Sequence, residues 1–161
     1  MNLIKLPSVA AMLLALAPSL ALVQTSALAA PVPDDAAGII KTAKGSVTIE
    51  RAGRKTAGVA GDVVMASDRI STGADGSAGI TLRDETRMAL GPNTTLAMEH
   101  FAFNTTTHEG RLDASVRRGT LAVVSGKIAK QSPTAVKFST PSSVLGVRGT
   151  EFVVEVEGNG E

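Results

Sequence analysis

Short runs of alternating apolar and polar residues dominate the chain beyond residue 45. In such a run every second side chain lies on the same face of a β-strand, so that one face can be buried. The apolar positions recur at Val47 and Ile49, Ile80 and Leu82, Met88 and Leu90, Leu96 and Met98, Leu112, Ala114 and Val116, Leu121 and Val123, and Val136 and Phe138. No stretch of this region places apolar residues at helical spacing over three turns. The pattern therefore predicts an all-β domain.

Turn-forming residues separate these runs at intervals of roughly seven to ten residues. The main turn signals are Gly61-Asp62, Asp75-Gly76, Gly91-Pro92-Asn93, Gly119 and Ser132-Pro133. Short strands joined by small corners favour a rolled sheet of the β-solenoid or β-helix type, with a β-sandwich as the alternative.

One run changes its register. Leu96 and Met98 stand at even positions, whereas Phe101 and Phe103 stand at odd ones. Because a shift of one residue exchanges the two faces of a strand, all four side chains can face the core only if a bulge or corner lies between them. We predict this irregularity at Glu99-His100.

The N-terminus has the features of a cleavable signal peptide. Lys5 provides a positive charge, an apolar run follows from Val9 to Val23, and Ala27-Leu28-Ala29 has the small-x-small pattern of a cleavage site. A membrane anchor is the alternative, but a spanning helix needs about 20 apolar residues, and this run is shorter and contains Pro18. We therefore predict cleavage after Ala29 and export of the remaining chain.

These signals divide the chain into four segments. Residues 1–29 form the signal peptide, residues 30–44 an extended leader, residues 45–157 the β domain and residues 158–161 a tail. The leader is assigned because its first part contains two prolines and the pair Asp34-Asp35, which is typical of a mobile terminus.

Composition excludes several classes of function. The chain has no cysteine, which rules out disulfides, cysteine-ligated zinc, thiol catalysis and a lipid-modified cysteine. Removal of Lys5 with the signal leaves 15 basic residues (16 minus 1) against 15 acidic ones, so the basic face that nucleic acids or anionic membranes require is not indicated. Tryptophan and tyrosine are absent, so aromatic platforms for bases or sugars are not expected.

Candidate catalytic and metal-binding residues are few. His100 and His108 each adjoin a glutamate, Glu99 or Glu109, and a metal site of two histidines and two carboxylates is one interpretation. We favour surface histidines, because this spacing is a weak signal and His100 should point outward if the phenylalanines point inward. Neither histidine stands in a known nucleophile motif. We therefore predict no enzyme, no metal and no cofactor.

One further segment has part of a phosphate-binding motif. Ser125-Gly126-Lys127 is similar to the end of a P-loop, but Leu121 stands where the first glycine is required and Ile128 replaces the final Ser or Thr. We interpret this segment as a turn.

An ordered set of short motifs resembles the FecR domain family. The set runs through the chain in the order Gly61-Asp62, Asp68-Arg69-Ile70-Ser71-Thr72-Gly73, Ala78 to Leu82 followed by Asp84, Leu90 to Leu96 around Gly91-Pro92-Asn93, Arg118-Gly119, and Thr140-Pro141 through Gly149-Thr150-Glu151-Phe152-Val153. It covers roughly residues 45 to 156. Each motif alone is weak, and their order makes the resemblance specific.

The resemblance implies a β-rich, solenoid-like domain in the periplasm of a Gram-negative envelope. It also implies a function through protein contacts rather than catalysis, in envelope signalling or scaffolding. A secreted structural module of the surface or cell wall is the alternative, and a periplasmic hydrolase is a distant one. We expect an envelope protein as the partner, with no nucleic acid and no membrane span once the signal is removed.

Two departures from the family pattern qualify this expectation. Signalling members carry a sigma-binding segment and a transmembrane helix ahead of this domain, whereas here a cleavable signal stands in that place. The loop Asp84-Glu85-Thr86 also lacks the glycine that is usual in the family's turn. Because Glu85 would be strained at a positive φ, we predict a different turn type here.

The C-terminal motif provides the candidate site residues, whose role is either structural or partner-facing. From Phe152 onward, alternation places Phe152, Val154 and Val156 on one strand face and Glu151, Glu155 and Glu157 on the other. The Arg148 guanidinium either fixes the last corner, which we prefer, or anchors a partner. This strand also offers a route to self-association. The candidate site residues are Thr140, Pro141, Gly146, Arg148, Gly149, Thr150 and Phe152.

Overall fold

The computed structural model describes residues 35–147 and 151–157, which belong to one compact unit. The signal peptide and the tail predicted from the sequence lie outside the described residues. The described strands are β1 (Ala36–Lys44), β2 (Val47–Arg51), β3 (Arg54–Ala57), β4 (Val63–Met65), β5 (Arg69–Thr72), β6 (Ser77–Leu82), β7 (Arg87–Leu90), β8 (Thr95–Phe103), β9 (Gly110–Val124), β10 (Val136–Ser139), β11 (Val144–Gly146) and β12 (Glu151–Val156). A short helix, α1 (Lys127–Gln131), and a 3-10 turn (Pro133–Ala135) connect β9 to β10.

The twelve strands form one strongly curled sheet, and β9 joins its two halves. The first part of β9 pairs with β8 and β10, and this half continues as β8-β5-β2-β3 on one side and β10-β11 on the other. The second part of β9 pairs with β7 and β12, and this half continues through β7-β6-β1-β4. Among the described strands, the pairing of β9 with β10 is parallel and the others are antiparallel. The roll therefore comes from one long shared strand rather than from stacked parallel coils.

Gly119 lies where β9 passes from one half of the sheet to the other. Its φ is +84°, which a residue with a side chain adopts only at a cost. A Cβ atom at this position would also lie 2.5 Å from the Cα of Thr94. Thr94 holds the corner, because its Oγ1 donates to the carbonyl of Thr120 at 3.0 Å and accepts from the Thr120 amide at 3.0 Å.

The core lies inside the curl and consists almost entirely of aliphatic side chains. Phe138 is the one fully buried aromatic ring among the described residues. Helix α1 covers part of the core with Ile128. The other large side chains with the least exposure are Ile40, Ile70, Ile80, Met88, Leu96, Met98, Leu112, Leu121, Val64 and Val116. The core is thus as poor in aromatic residues as the composition requires.

The all-β, rolled-sheet prediction is confirmed, and so is the irregularity in β8. Met98 pairs with Ala114 and His100 pairs with Asp113, so Glu99 is an extra residue that shifts the register. Beyond this bulge, Phe101 and Phe103 pack against the core and are partly buried.

The structure changes the predicted start of the domain. Residues 36–44 were expected to belong to a leader, but they form β1, which pairs with β4 and β6. Ile40 in this strand is fully buried. Gly38 allows the close approach of β6, since a Cβ there would lie 2.8 Å from the Cα of Leu82. Periodicity missed this strand because alanine and glycine, rather than large apolar residues, face the core at its start.

Two local predictions were wrong. Glu85 does adopt a positive φ, +69°, so the loop keeps the backbone that glycine usually provides. Ser125-Gly126-Lys127 is more than a turn, because Gly126 is the N-cap of α1.

No helix in residues 35–147 and 151–157 is long and apolar enough to cross a membrane.

Candidate functional site

The motif that begins at Asp68 forms a buried structural joint, by which we mean a set of side-chain hydrogen bonds that connects separate strands or turns. The Asp68 side chain has 0% exposure, and its two carboxylate oxygens accept hydrogen bonds from Arg51 Nε and Nη2 at 2.7 and 2.6 Å. Its Oδ2 also accepts from the Met65 amide at 2.8 Å, and Arg51 Nη2 donates to the Val63 carbonyl at 2.8 Å. The hydrogen bond with Asp68 raises the pKa of Arg51, while burial opposes this. This forked pair links the end of β2 to both ends of the β4–β5 connection.

Thr72 and Thr94 form a second buried joint. Thr72 Oγ1 donates to the Gly91 carbonyl at 2.7 Å and accepts from the Thr94 amide at 2.9 Å. The Asn93 amide donates to the Gly73 carbonyl at 2.9 Å, and Asn93 has a φ of +52°. These bonds fasten the turn before β8 to the end of β5. The motif residues of this region therefore satisfy buried polar groups of the domain.

The Asp84-Glu85-Thr86 loop is a third joint, which holds the start of α1. Asp84 and Thr86 are buried, and Thr86 Oγ1 donates to Asp84 Oδ2 at 2.7 Å. The Gly126 amide donates to Thr86 Oγ1 at 3.0 Å, and the Lys127 amide donates to the Asp84 carbonyl at 2.7 Å. Lys127 Nζ lies 2.7 Å from Glu85 Oε1 on the surface, and this hydrogen bond lowers the pKa of Glu85. These contacts explain why Glu85 is kept at a positive φ.

The Thr140-Pro141 motif forms the turn between β10 and β11. The Thr140 amide donates to the Ser143 carbonyl at 2.8 Å, and the Ser143 amide donates to Thr140 Oγ1 at 3.0 Å. Thr140 therefore closes the turn with its own side chain, as Ser and Thr do in such turns. Pro141 is exposed beside it.

The last two described strands expose apolar side chains. Val144 is 72% exposed and Leu145 is 37% exposed on β11, and Val153 is 64% exposed on β12. Val59 is the other large apolar residue exposed in the described part of the chain. Three of four such residues thus lie in the C-terminal hairpin and strand.

Strand β12 is amphipathic, as predicted. Val154 is buried, whereas Phe152 and Val156 are partly buried and pack against the core. The Phe152 ring meets Phe138 edge-to-face, with centroids 5.2 Å apart and planes at 69°. Phe152 therefore anchors β12 to the core.

Two cavities border β12. One, of about 230 Å³, lies at the start of the strand and is lined by Leu145, Gly146, Val147, Glu151, Phe152, Val153 and Val154. The other, of about 660 Å³, lies at its end and is lined by Thr95, Arg117, Arg118, Thr140, Pro141, Ser142, Glu155, Val156 and Glu157. The candidate residues Gly146 and Phe152 thus share one cavity, and Thr140 and Pro141 share the other. Arg148, Gly149 and Thr150 lie outside the described residues.

Sequence reasoning missed the exposed valine of β12 as a site residue. Val153 occupies an outward position of the strand, between Glu151 and Glu155. The available signal was an apolar residue at a position that alternation assigns to solvent. Val144 and Leu145 lie inside the motif that begins at Thr140-Pro141, and they too were not among the predicted site residues.

The two histidines lie on the surface in separate settings. His100 is exposed on β8, as predicted, and His108 stacks on Phe103 with ring centroids 6.2 Å apart. Within the described ranges, no group of three or more His, Asp and Glu residues could hold a metal ion.

Comparison with known proteins supports the resemblance found in the motifs. A family model described as FecR protein matches residues 68–161, which is more than half of the chain. No curated protein and no solved structure gives a significant match. The match begins at the buried Asp68 joint and includes the C-terminal hairpin and β12. This chain belongs to the FecR family.

Proposed function

We propose that this protein acts in the periplasm as a non-enzymatic module of envelope signalling or scaffolding, through contacts with another protein. The family is connected with envelope signalling in general, and the sequence carries the features of an export signal. The observation that carries the proposal is the exposure of apolar side chains on β11 and β12, of which Leu145 and Val153 line one cavity. Apolar side chains grouped in one region of the surface are a feature of protein interaction sites.

The buried joints also support the proposal, because their polar residues stabilise the fold. Asp68, Thr72, Asp84 and Thr94 have their polar atoms occupied by other groups of the domain. The polar motif residues therefore maintain the fold and leave the C-terminal region as the surface for a partner.

Site-specific photocrosslinking in cells tests this proposal. A photoreactive amino acid at Val144 should form an adduct with a periplasmic or membrane-bound envelope protein, to be identified by mass spectrometry. Val59 is the matched control, because it is 56% exposed but lies in the connection between β3 and β4. Equal adducts at both positions, or none at Val144, would contradict the proposal.

The identity of the adduct separates the two forms of the function. A receptor or signalling protein would support signalling, whereas peptidoglycan or surface-matrix components would support a structural module. Cell fractionation of the same samples tests the location, since recovery of the processed protein in the cytosol would contradict export.

A further inference from the structure

Strand β12 has a free edge in the part of the chain that the structure describes. Its partner is β9, which it meets in an antiparallel register from Glu151 opposite Val124 to Val156 opposite Gly119. No described strand pairs with its other side. A free edge presents unpaired backbone N–H and C=O groups, to which an extended peptide can add as a further strand.

The outward face of this edge strand is acidic around one apolar side chain. Glu151, Val153 and Glu155 are exposed at alternating positions, and Glu157 follows directly. None of the three glutamates has an ion-pair partner among the described residues. The acidic stripe therefore lies on the free edge without a fixed counter-charge.

The neighbouring strand does not neutralise this stripe. On β9, Val124, Ala122 and Thr120 lie opposite Glu151, Val153 and Glu155, so the residues directly across from the stripe carry no charge. Arg117 and Arg118 line the cavity at the far end of β12 with Glu155 and Glu157, but they form no ion pair with them within 4.0 Å.

The charges disfavour a second copy of the chain as the occupant. An antiparallel pair of β12 strands centred on Val153 would place Glu151 of each copy opposite Glu155 of the other. Like charges directly opposite each other destabilise a strand pair, whereas opposite charges stabilise it. The edge is therefore complementary to a basic strand and not to itself.

We propose that β12 binds an extended segment of a partner protein with Lys or Arg at two positions four residues apart and an apolar residue midway between them. The segment adds to the free edge, with its cations opposite Glu151 and Glu155 and its apolar residue opposite Val153. This inference rests on the proposed function through protein contacts and specifies the chemistry of the partner.

Titration of the purified protein with two synthetic peptides tests the inference. The probe is Thr-Lys-Val-Val-Val-Lys-Thr, and its control carries Glu in place of both Lys residues. The lysine peptide should shift the amide resonances of β12 and slow their hydrogen exchange, and it should bind about tenfold more tightly than the glutamate peptide. The protein with both Glu151→Lys and Glu155→Lys should reverse this preference.

A matched variant controls for net charge. The pair Glu99→Lys and Glu109→Lys makes the same charge change at exposed positions of β8 and the following loop, and it should leave the preference unchanged. Equal binding of both peptides, binding that maps to another strand, or no binding would overturn the inference. No binding would mean that the glutamates serve only to keep the edge free of other strands.

Light scattering and crosslinking distinguish the remaining outcomes. Association of the wild-type protein through β12 would identify a second copy as the occupant and overturn the inference. If the lysine peptide fails while Val144 still forms its envelope-protein adduct, the inference about β12 is wrong and the proposed function stands. If both fail, the proposed function is wrong as well.

Discussion

The family motifs of this chain occupy two physically different regions. At the joints around Asp68, Thr72 and Thr94, polar side chains are buried and form hydrogen bonds with groups that are distant in sequence. In the C-terminal region, by contrast, Val144 and Val153 are exposed, and β12 has a free edge among the described strands. The motifs look alike in sequence, since both combine small turn-forming residues with short strands.

This contrast shows that the family motifs contain two kinds of residue, buried polar residues that stabilise the fold and exposed apolar residues that do not. A buried carboxylate or hydroxyl needs its partner, because an unpaired polar group in the core costs free energy. An exposed apolar side chain has no such requirement within the domain. Substitutions should therefore affect stability at the joints and partner binding in the C-terminal region.

The largest expected effect is at the corner of β9. Gly119→Ala places a Cβ at a positive φ and against the backbone of Thr94, so it should lower the free energy of unfolding by about 4 kcal/mol. Gly61→Ala is the control, because φ there is +100° but a Cβ would meet no atom within 4 Å. It isolates the backbone strain and should cost about 1–2 kcal/mol. Urea unfolding measures both, and equal losses would show that packing at the corner is unimportant.

Arg51→Ala should have the next largest effect. It leaves the buried Asp68 carboxylate without its cation, which should lower the free energy of unfolding by about 3 kcal/mol. Arg54→Ala, at an exposed position of β3, should change it by less than about 0.5 kcal/mol. Asp68→Asn in the Arg51→Ala background should recover part of the loss. Chemical denaturation checks these values, and an unaffected Arg51→Ala protein would contradict the role of the joint.

Substitutions at two adjacent residues of β12 should separate an effect on stability from an effect on partner binding. Phe152→Ala removes the contact with Phe138 and should cost about 2 kcal/mol of stability, since the side chain is partly buried. Val153→Ser should leave stability within about 0.5 kcal/mol of the wild type and reduce binding to the partner. Thermal unfolding and the lysine-peptide titration measure the two properties. A destabilised Val153→Ser protein would show that this face is structural.

The smallest expected effect concerns the exposed pair Glu85–Lys127. The hydrogen bond from Lys127 lowers the pKa of Glu85 below its ordinary value of 4.5. A lowered folded-state pKa contributes stability above the unfolded value, and this contribution is lost as pH falls through the folded value. Lys127→Met should therefore be slightly less stable than wild type at pH 7, and the difference should disappear below the lowered pKa. Lys137→Met, at an exposed position of β10, should show no such pH dependence in acid denaturation.

Much of the fold was predictable because alternation and turn residues are local properties. Alternation located most of the strands, and the change of parity between Met98 and Phe101 located the β8 bulge. Strand β1 was missed because small residues provide little hydrophobic signal. The turn at Glu85 was mispredicted because its loop is held by hydrogen bonds from Gly126 and Lys127, which are distant in sequence.

The candidate site was predictable only in part. The C-terminal motif was found from its glycines and Thr140-Pro141, and the structure places Thr140, Pro141, Gly146 and Phe152 along the two cavities of β12. That Phe152 is an anchor and Val153 an exposed side chain follows from which face of β12 packs on the core.

The sequence by itself determined the all-β class, the absence of disulfides and the family, because side-chain alternation, composition and motif order are properties of the chain alone. Only the tertiary structure decided that β9 joins both halves of the sheet and that Arg51 serves Asp68. It also decided that β12 ends its half of the described sheet. Strand neighbours and buried ion pairs arise from contacts between residues far apart in sequence, and local patterns do not specify these contacts.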